Sequence, residues 1–209
     1  MKKTYSIGVL DGDDIGHEIV PETIRAMRAA IDREGIAVDW QQVPIGRAAY
    51  DQLGTTMPDN TIERLGAMDG WVLGPIGHRE YPDDPKAINP HPILRKRFEL
   101  HSNIRPARAL PNLPCIHPDT DLVIVRENTE GFQPDRNVVA GSGEFRPTHD
   151  TTISVRVITR KNSRAAALSA FELARRRRHK VTAVHKNTVF KLGCGMFAEE
   201  CQKAAKDYP

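Results

Sequence analysis

Three arginines lie where an α/β protein commonly contacts its ligand. Arg95 and Arg105 flank the sequence KRFELHSNI, and Arg126 follows the apolar run Leu122–Val125. The C-terminal end of a strand is the usual binding edge of an α/β sheet, and a guanidinium binds a carboxylate through two parallel hydrogen bonds. Three converging arginines would suit an anion with several carboxylates. Surface arginines are common, however, so spacing alone does not establish that they converge.

Lys186 is the second position with possible chemistry. It lies between a predicted strand, Val181–Val184, and a predicted helix, Thr188–Ala205. A helix dipole and nearby arginines would lower the pKa of its ammonium towards the range used in acid–base catalysis. The alternative is a solvated lysine at the start of a helix. Asn187, just before that helix, is an ordinary candidate for its N-cap.

The elements that must position these residues alternate between strands and helices, which predicts an α/β architecture. Pro21 is expected in the first turn of the first helix, where its missing N–H costs nothing. The predicted elements are the strand Tyr5–Leu10, the turn Asp11–Gly16, a helix with apolar positions from Ile19 to Ile31, a strand around Val38–Val43, a helix near Asp59–Leu65 and the strand Gly70–Leu73.

A Pro- and Asp-rich loop, Tyr81–Pro92, leads into a short basic helix, Ile93–Leu100, and divides the chain into domains 1–100 and 101–209. The second domain is expected to begin with a strand and to return to alternating α/β order. Its predicted elements are the strand Asp121–Val125, a Gly-rich segment Val139–Gly143, a half-exposed strand Ile153–Val157, the helix Ser163–Arg178, the strand Val181–Val184 and a last helix weakened by Gly193 and Gly195.

Composition favours an ordered protein of one large or two small domains, because 209 residues that are 39% hydrophobic can bury a core. No apolar run is long enough for a membrane span and the start lacks a signal peptide, so we expect a cytoplasmic protein without membrane contact. Cys115, Cys194 and Cys201 offer neither a disulfide framework nor a zinc motif and are expected to be reduced.

The basic run Arg175–Arg178 could attract nucleic acid, but it closes a helical pattern where cations complement the helix C-terminus. We therefore expect a solvated helix end and no nucleic-acid partner. The net charge of +3 is too modest to indicate a partner by itself.

Five segments in collinear order resemble the isocitrate/3-isopropylmalate dehydrogenase family of β-decarboxylating dehydrogenases. The arginines belong to LRKRFELHSNIRPAR and DLVIVRENTEGF, and the lysine belongs to VTAVHKNTVFKL. GDDIGHEIVPE resembles the family's N-terminal turn, and TTISVRVITR with AFELARRR resembles the strand and helix after its dimer arm. The resemblance implies an isopropylmalate dehydrogenase-like fold, with an incomplete large domain and a smaller α/β domain that carries the arm.

The resemblance also implies roles for individual residues. Arg95, Arg105 and Arg126 would hold the carboxylates of a malate-like acid, and Lys186 would act near the hydroxyl carbon, reaching into the partner subunit's cleft of a homodimer. Asn187 would touch the nicotinamide of NAD or NADP. The family's Mg²⁺- or Mn²⁺-binding aspartates and its adenine-binding loop are expected beyond residue 209, so no metal ligand is assigned in this chain.

Substrate choice in the family depends on residues before the first arginine, here Asn89 to Leu94. Asn89 and His91 are polar and argue against a pocket for an isopropyl group, so isocitrate, tartrate and malate-like acids remain open. The alternative is that both are only loop residues.

The chain departs from the family pattern at Gln133, where a tyrosine is expected to protonate the enolate. A glutamine amide has no accessible pKa for that transfer. Asp14 and His17 replace the usual glycine and proline of the N-terminal turn. Two hypotheses remain: an NAD(P)-dependent oxidative decarboxylase, or a catalytically incomplete fragment or non-catalytic binding or regulatory subunit of the same family.

Overall fold

The structure, a computed structural model, describes residues 3–133, 138 and 141–208. The chain divides into two compact units, Met1–Phe98 and Glu99–Pro209. The roles predicted for domains 1–100 and 101–209 stay predictions. Part of the predicted Gly-rich segment, residues 139 and 140, lies outside the described residues.

The first unit is built on a three-stranded parallel sheet in the order β2-β1-β3. Both faces of the central strand are covered, because Leu10 packs with Leu65 and Leu94 while Val9 packs with Val20 and Ile24. The elements of this unit are β1 Thr4–Leu10, α1 Gly16–Glu34, β2 Ala37–Gln42, α2 Gly46–Leu53, α3 Thr61–Gly66, β3 Gly70–Leu73, a 3₁₀ turn His78–Glu80 and α4 Pro90–Arg97.

A buried carboxylate organises the turn after β1. Asp13 is 3% exposed and accepts hydrogen bonds from the N–H of Arg47 (2.6 Å), the N–H of Gly77 (2.9 Å) and the hydroxyl of Tyr81 (2.6 Å). Burial, followed by this contact with Asp13, raises the pKa of Tyr81. Its neighbour Asp14, which stands where the resemblance implies a glycine, adopts a left-handed backbone with a φ of 50°.

The second unit contains two antiparallel strand pairs and a pair of packed helices. Ala167 of the first of these helices packs with Cys201 and Ala204 of the second, against Phe171 and Phe197. The elements of this unit are β4 Ser102–Arg108, β5 Asp121–Glu127, β6 Glu144–Thr148, β7 Thr151–Ser154, α5 Arg160–Arg175 and α6 Gly193–Ala205.

Buried Glu200 joins α5 to α6. Its carboxylate receives Nη1 of Arg160 at 3.0 Å and Nζ of Lys203 at 2.7 Å, and Arg164 lies 3.9 Å away. The hydrogen bond from Lys203 is the main cause that lowers the pKa of Glu200, followed by the contact with Arg160. A buried carboxylate is tolerated here because cations from both helices surround it.

The first helix corrects one expectation from the sequence. α1 begins at Gly16, because the N–H of Gly16 bonds the carbonyl of Asp13 at 2.8 Å and starts the helical winding early. Pro21 therefore lies inside the helix rather than in its first turn. The short helix α2 was not predicted.

Three other predicted elements differ in their bounds. α4 begins at Pro90 and ends at Arg97, since Asn89 caps it, and α5 runs from Arg160 to Arg175, three residues earlier than expected at each end. The predicted strand Ile153–Val157 is paired as β7 only to Ser154, and Val157 then forms an isolated bridge with Gly131.

The region around Lys186 also differs from the expectation. Val181–Val184 is not a strand, because a strand needs a neighbour for its backbone hydrogen bonds and no described residue pairs with this segment. α6 begins at Gly193 rather than at Thr188.

The three cysteines are free thiols; Cys194 and Cys201 are buried and Cys115 is exposed. In the described part of the chain, no helix is long and apolar enough to cross a membrane.

Candidate functional site

The β4–β5 ladder brings two of the predicted arginines onto one face. Arg105 is paired with Ile124, and Asn103 is paired with Arg126. Residues directly opposite each other in a ladder share a face, so Arg105 and Arg126 are diagonal neighbours, separated by about 7–8 Å. Both side chains are exposed. This face can offer two adjacent guanidinium groups to an anion.

The opposite face of the ladder packs on α5. Ser102 Oγ donates to Ser169 Oγ at 2.9 Å, and Arg177 Nη2 donates to the Asp121 carboxylate at 2.6 Å. Arg178 also pairs with Asp121, at 3.3 Å, and the bond from Arg177 is the main cause that lowers the pKa of that carboxyl group. Arg177 and Arg178 of the basic run therefore connect the chain just after α5 to the start of β5. The helix was predicted to end at Arg178 but ends at Arg175.

Asn103 orients Arg105, and sequence reasoning missed it. Nε of Arg105 donates to Oδ1 of Asn103 at 2.8 Å, and the Asn103 amide contacts Oδ1 of Asn128 at 3.5 Å. Asn128 is buried and donates to the carbonyl of Leu100 at 3.3 Å. The period-two spacing of Asn103 and Arg105 in one strand is the signal that could have found this pair.

The segment after Arg126 is fixed by two glutamates. The Glu127 carboxylate accepts the N–H groups of Thr129 at 2.8 Å and Glu130 at 3.1 Å. Glu130 accepts the N–H of Thr159 at 2.7 Å and its hydroxyl at 2.9 Å, at the start of α5. These charge-assisted bonds hold the path of the chain from Arg126 towards position 133.

A cavity of about 1310 Å³ in the second unit is shared by three predicted site residues, Arg126, Gln133 and Lys186. Its wall is completed by β5, by one face of α5 and by side chains such as Arg156, Phe190 and Cys194. Arg126, Gln133 and Lys186 therefore line one cavity. Arg105 does not line this cavity, but it neighbours Arg126 diagonally in the β4–β5 ladder.

Arg156 is a second residue that sequence reasoning missed. Its guanidinium lies 5.3 Å from the centre of the Phe132 ring and 4.6 Å from that of Phe190, and Nη2 donates to Sγ of Cys194 at 3.4 Å. That hydrogen bond is the main cause that lowers the pKa of the Cys194 thiol. Its signal in the sequence is a cation between the apolar residues Val155 and Val157.

Lys186 is exposed, and its surroundings differ from those expected. Its carbonyl accepts the N–H groups of Val189 at 3.1 Å and Phe190 at 2.9 Å, which makes a single helical turn. Because α6 begins only at Gly193, Lys186 does not lie at the start of that helix, contrary to the prediction. Asn187 is not the N-cap either; its N–H donates to Nδ1 of His185 at 3.4 Å.

The remaining predicted residues belong to the first unit. Asn89 caps α4 by accepting the N–H of His91 at 3.0 Å, and its amide contacts Nδ1 of His78 at 3.4 Å. Asn89 thus has a structural role, whatever else it contacts. Arg95 is half-buried in α4. The convergence of Arg95 with the other two arginines stays a prediction.

Within the residues that the structure describes, no three His, Cys, Asp or Glu side chains are grouped closely enough to hold a metal ion. These residues therefore do not supply a fitting donor set for the divalent cation that the resemblance implies.

Comparison with known proteins identifies the family. The family model for isocitrate/isopropylmalate dehydrogenase matches residues 6–209. The chain belongs to this family. One relative, the 3-isopropylmalate dehydrogenase of Methanothermobacter thermautotrophicus, is 35% identical to this chain over 99% of the chain and 57% of its own length. The decarboxylating D-malate dehydrogenase of Escherichia coli is 32% identical over all of this chain and 59% of its own length.

A solved structure gives the same fold. The isocitrate dehydrogenase of Methylococcus capsulatus superposes with a TM-score of 0.78 and 32% identity, covering 98% of this chain and 58% of the other. The expected isopropylmalate dehydrogenase-like α/β fold is confirmed. The chain spans little more than half the length of these family members.

Proposed function

We propose that this chain provides the carboxylate-binding face and the acid–base lysine for NAD(P)-dependent, metal-dependent oxidative decarboxylation of a malate-like 2-hydroxy acid, such as isocitrate or tartrate. The observation that carries the proposal is the shared face of Arg105 and Arg126 in the β4–β5 ladder. Isocitrate, isopropylmalate and malate appear in the names of different relatives.

Each side chain has a defined part in this proposal. Arg105 and Arg126, joined by Arg95, bind the substrate carboxylates by charge-assisted hydrogen bonds. Lys186 moves a proton at the substrate hydroxyl, and Asn187 contacts the nicotinamide. Asn89 and His91 face the substituent that distinguishes one acid from another.

A bound divalent cation would act as a Lewis acid towards the hydroxyl group. We expect its ligands outside the described residues, and we expect a cytoplasmic homodimer. Support for the dimer comes from the β6–β7 hairpin, which is exposed along both strands and carries the apolar pair Phe145 and Ile153.

A second candidate is a non-catalytic binding or regulatory subunit, or a catalytically incomplete fragment. Gln133 favours this candidate, since an amide cannot protonate the enolate. Such a protein would bind the same acids through the same arginines without turning them over.

The test is an assay of NAD and NADP reduction with isocitrate, isopropylmalate, tartrate and malate, with and without Mg²⁺ or Mn²⁺. It is made on this chain and on any longer product of its reading frame, with direct binding measured by calorimetry. Binding with turnover supports the enzyme, and binding without turnover supports the second candidate.

The arginine face is tested by Arg126→Gln, with Arg108→Gln as the matched control because Arg108 belongs to the other face of the same ladder. Loss of a charged hydrogen bond is worth about 1.5–3 kcal/mol. We therefore expect Arg126→Gln to weaken binding of the acid by about tenfold or more and Arg108→Gln to change it little. Equal effects would show that the face does not bind substrate.

A further inference from the structure

Arg156 lies between the segment that carries Gln133 and the turn that carries Lys186. Its own segment is bonded to the first of these, because the N–H of Gly131 donates to the carbonyl of Val157 at 2.8 Å and the N–H of Val157 donates to the carbonyl of Gly131 at 3.2 Å. Phe132, whose ring the guanidinium contacts, directly precedes Gln133.

The guanidinium also reaches the second part. It contacts the ring of Phe190 at 4.6 Å, and Phe190 closes the helical turn that starts at Lys186. The two rings are 6.4 Å apart with an interplanar angle of 69°, and Arg156 lies within 5.3 Å of both ring centres. Cys194, at the start of α6, receives the hydrogen bond from Nη2.

The turn that carries Lys186 has little other support among the described residues. Residues 182–192 are exposed throughout, with Val184 at 85% and Leu192 at 89%. Phe190, at 40%, is less exposed than either. A segment with few buried contacts opens readily, so the contacts of Phe190 with Arg156 and Phe132 are suited to anchor it.

We propose that Arg156 is a positioning residue that holds the turn carrying Lys186 against the segment carrying Gln133. A planar guanidinium is suited to this task, because its flat faces stack on two aromatic rings while its edge donates a hydrogen bond, whereas an ammonium is a point charge without such a plane. The catalytic meaning of this contact rests on the proposed function, but the contact itself does not.

The experiment measures amide hydrogen exchange on the whole chain. In Arg156→Met and Arg156→Lys, we expect the amides of Val189 and Phe190 to exchange about tenfold faster. Amides of β1 are expected to keep their rates, and so is every amide in the control Arg146→Met, which removes an exposed arginine of the same unit.

Three results would overturn the proposal. The first is unchanged exchange at both amides in Arg156→Met. The second is restoration of slow exchange by lysine, which would mean that charge alone matters. The third is equal acceleration throughout the second unit, which would mean general destabilisation. If Arg156→Met does not fold, Phe190→Leu removes the ring from the other side and is expected to give the same local change.

A second readout separates this proposal from the proposed function. In any product that turns over, a displaced Lys186 should lower kcat by roughly tenfold to a hundredfold in Arg156→Lys, with KM for the acid changed less than about twofold. Absence of turnover in every product would count against the proposed function and would leave the exchange result intact. A fall in kcat with unchanged exchange would reject the positioning role.

Discussion

Under the proposed function, Gln133 is the side chain that most limits proton chemistry, because it stands where the family resemblance implies a tyrosine. It lines the same cavity as Lys186 and Arg126, and its amide cannot act as a general acid. We expect Gln133→Tyr to raise overall turnover by on the order of tenfold to a hundredfold, because it restores a hydroxyl that can protonate the enolate.

The measurement is steady-state turnover, with Gln133→Phe as the control of equal bulk. The phenylalanine variant should show no gain, since it lacks the hydroxyl. An unchanged or lower rate in the tyrosine variant would contradict the prediction.

At the scale of elements, the contact between α5 and α6 depends on a carboxylate that must stay ionised. The folded-state pKa of Glu200 is lowered, so its contribution to stability is present above its ordinary pKa of 4.5 and is lost as the pH falls through the lower folded value. Glu200→Gln should therefore destabilise the second unit at pH 7 and lose much of that effect in acid.

Urea unfolding followed by far-UV circular dichroism between pH 7 and pH 3 measures this effect. Glu199→Gln is the matched control, because Glu199 also pairs with Arg160 but its side chain is 56% exposed, against 5% for Glu200. A difference between wild type and Glu200→Gln that is independent of pH would contradict the assignment.

Apolar periodicity predicted helix α1, whose backbone hydrogen bonds lie within the element, and the strands β1 and β3, which pair with each other. The strands β1 and β3 and the buried positions Val20 and Ile24 of α1 follow directly from their apolar spacing. The predicted strand Val181–Val184 failed because its apolar pattern gives no information about whether a neighbouring strand exists. The start of α5 was predicted three residues too late, because a side-chain cap determines it. Thr159 caps the helix by accepting the N–H of Asn162 at 3.2 Å.

The candidate site was predictable to a different degree. Arg105 and Arg126 were singled out by their positions at element ends and by the resemblance, and only the ladder register shows that they share a face. Asn103 and Arg156 act through contacts between residues far apart in the chain, with Asn128 and Phe190 respectively. Spacing within one strand can indicate the Asn103–Arg105 pair, but it cannot reveal these contacts between residues that are far apart in the chain.

At the scale of the whole molecule, the two units are expected to differ in stability. In the described residues, the first unit has two apolar clusters, whereas the second has one, whose buried members Ala167, Cys201 and Ala204 have small side chains. Less buried apolar surface provides less hydrophobic stabilisation, so the second unit should unfold at a lower urea concentration.

The two tryptophans, Trp40 and Trp71, both belong to the first unit. Tryptophan fluorescence therefore follows the first unit alone, whereas circular dichroism at 222 nm follows the helices of both. We expect the dichroism transition to begin before the fluorescence transition. Coincident curves would mean that the chain unfolds as one cooperative body.

The loop between β4 and β5 constrains how such a chain can change during evolution. Residues 110–119 are exposed, and a hydrogen bond of 2.8 Å from the N–H of Ala109 to the carbonyl of Thr120 closes the loop at its base. One residue inserted within either strand would turn Arg105 or Arg126 to the opposite face, whereas residues inserted in the loop would leave the register intact. Insertions and deletions should therefore accumulate in the loop, while the lengths of both strands stay fixed.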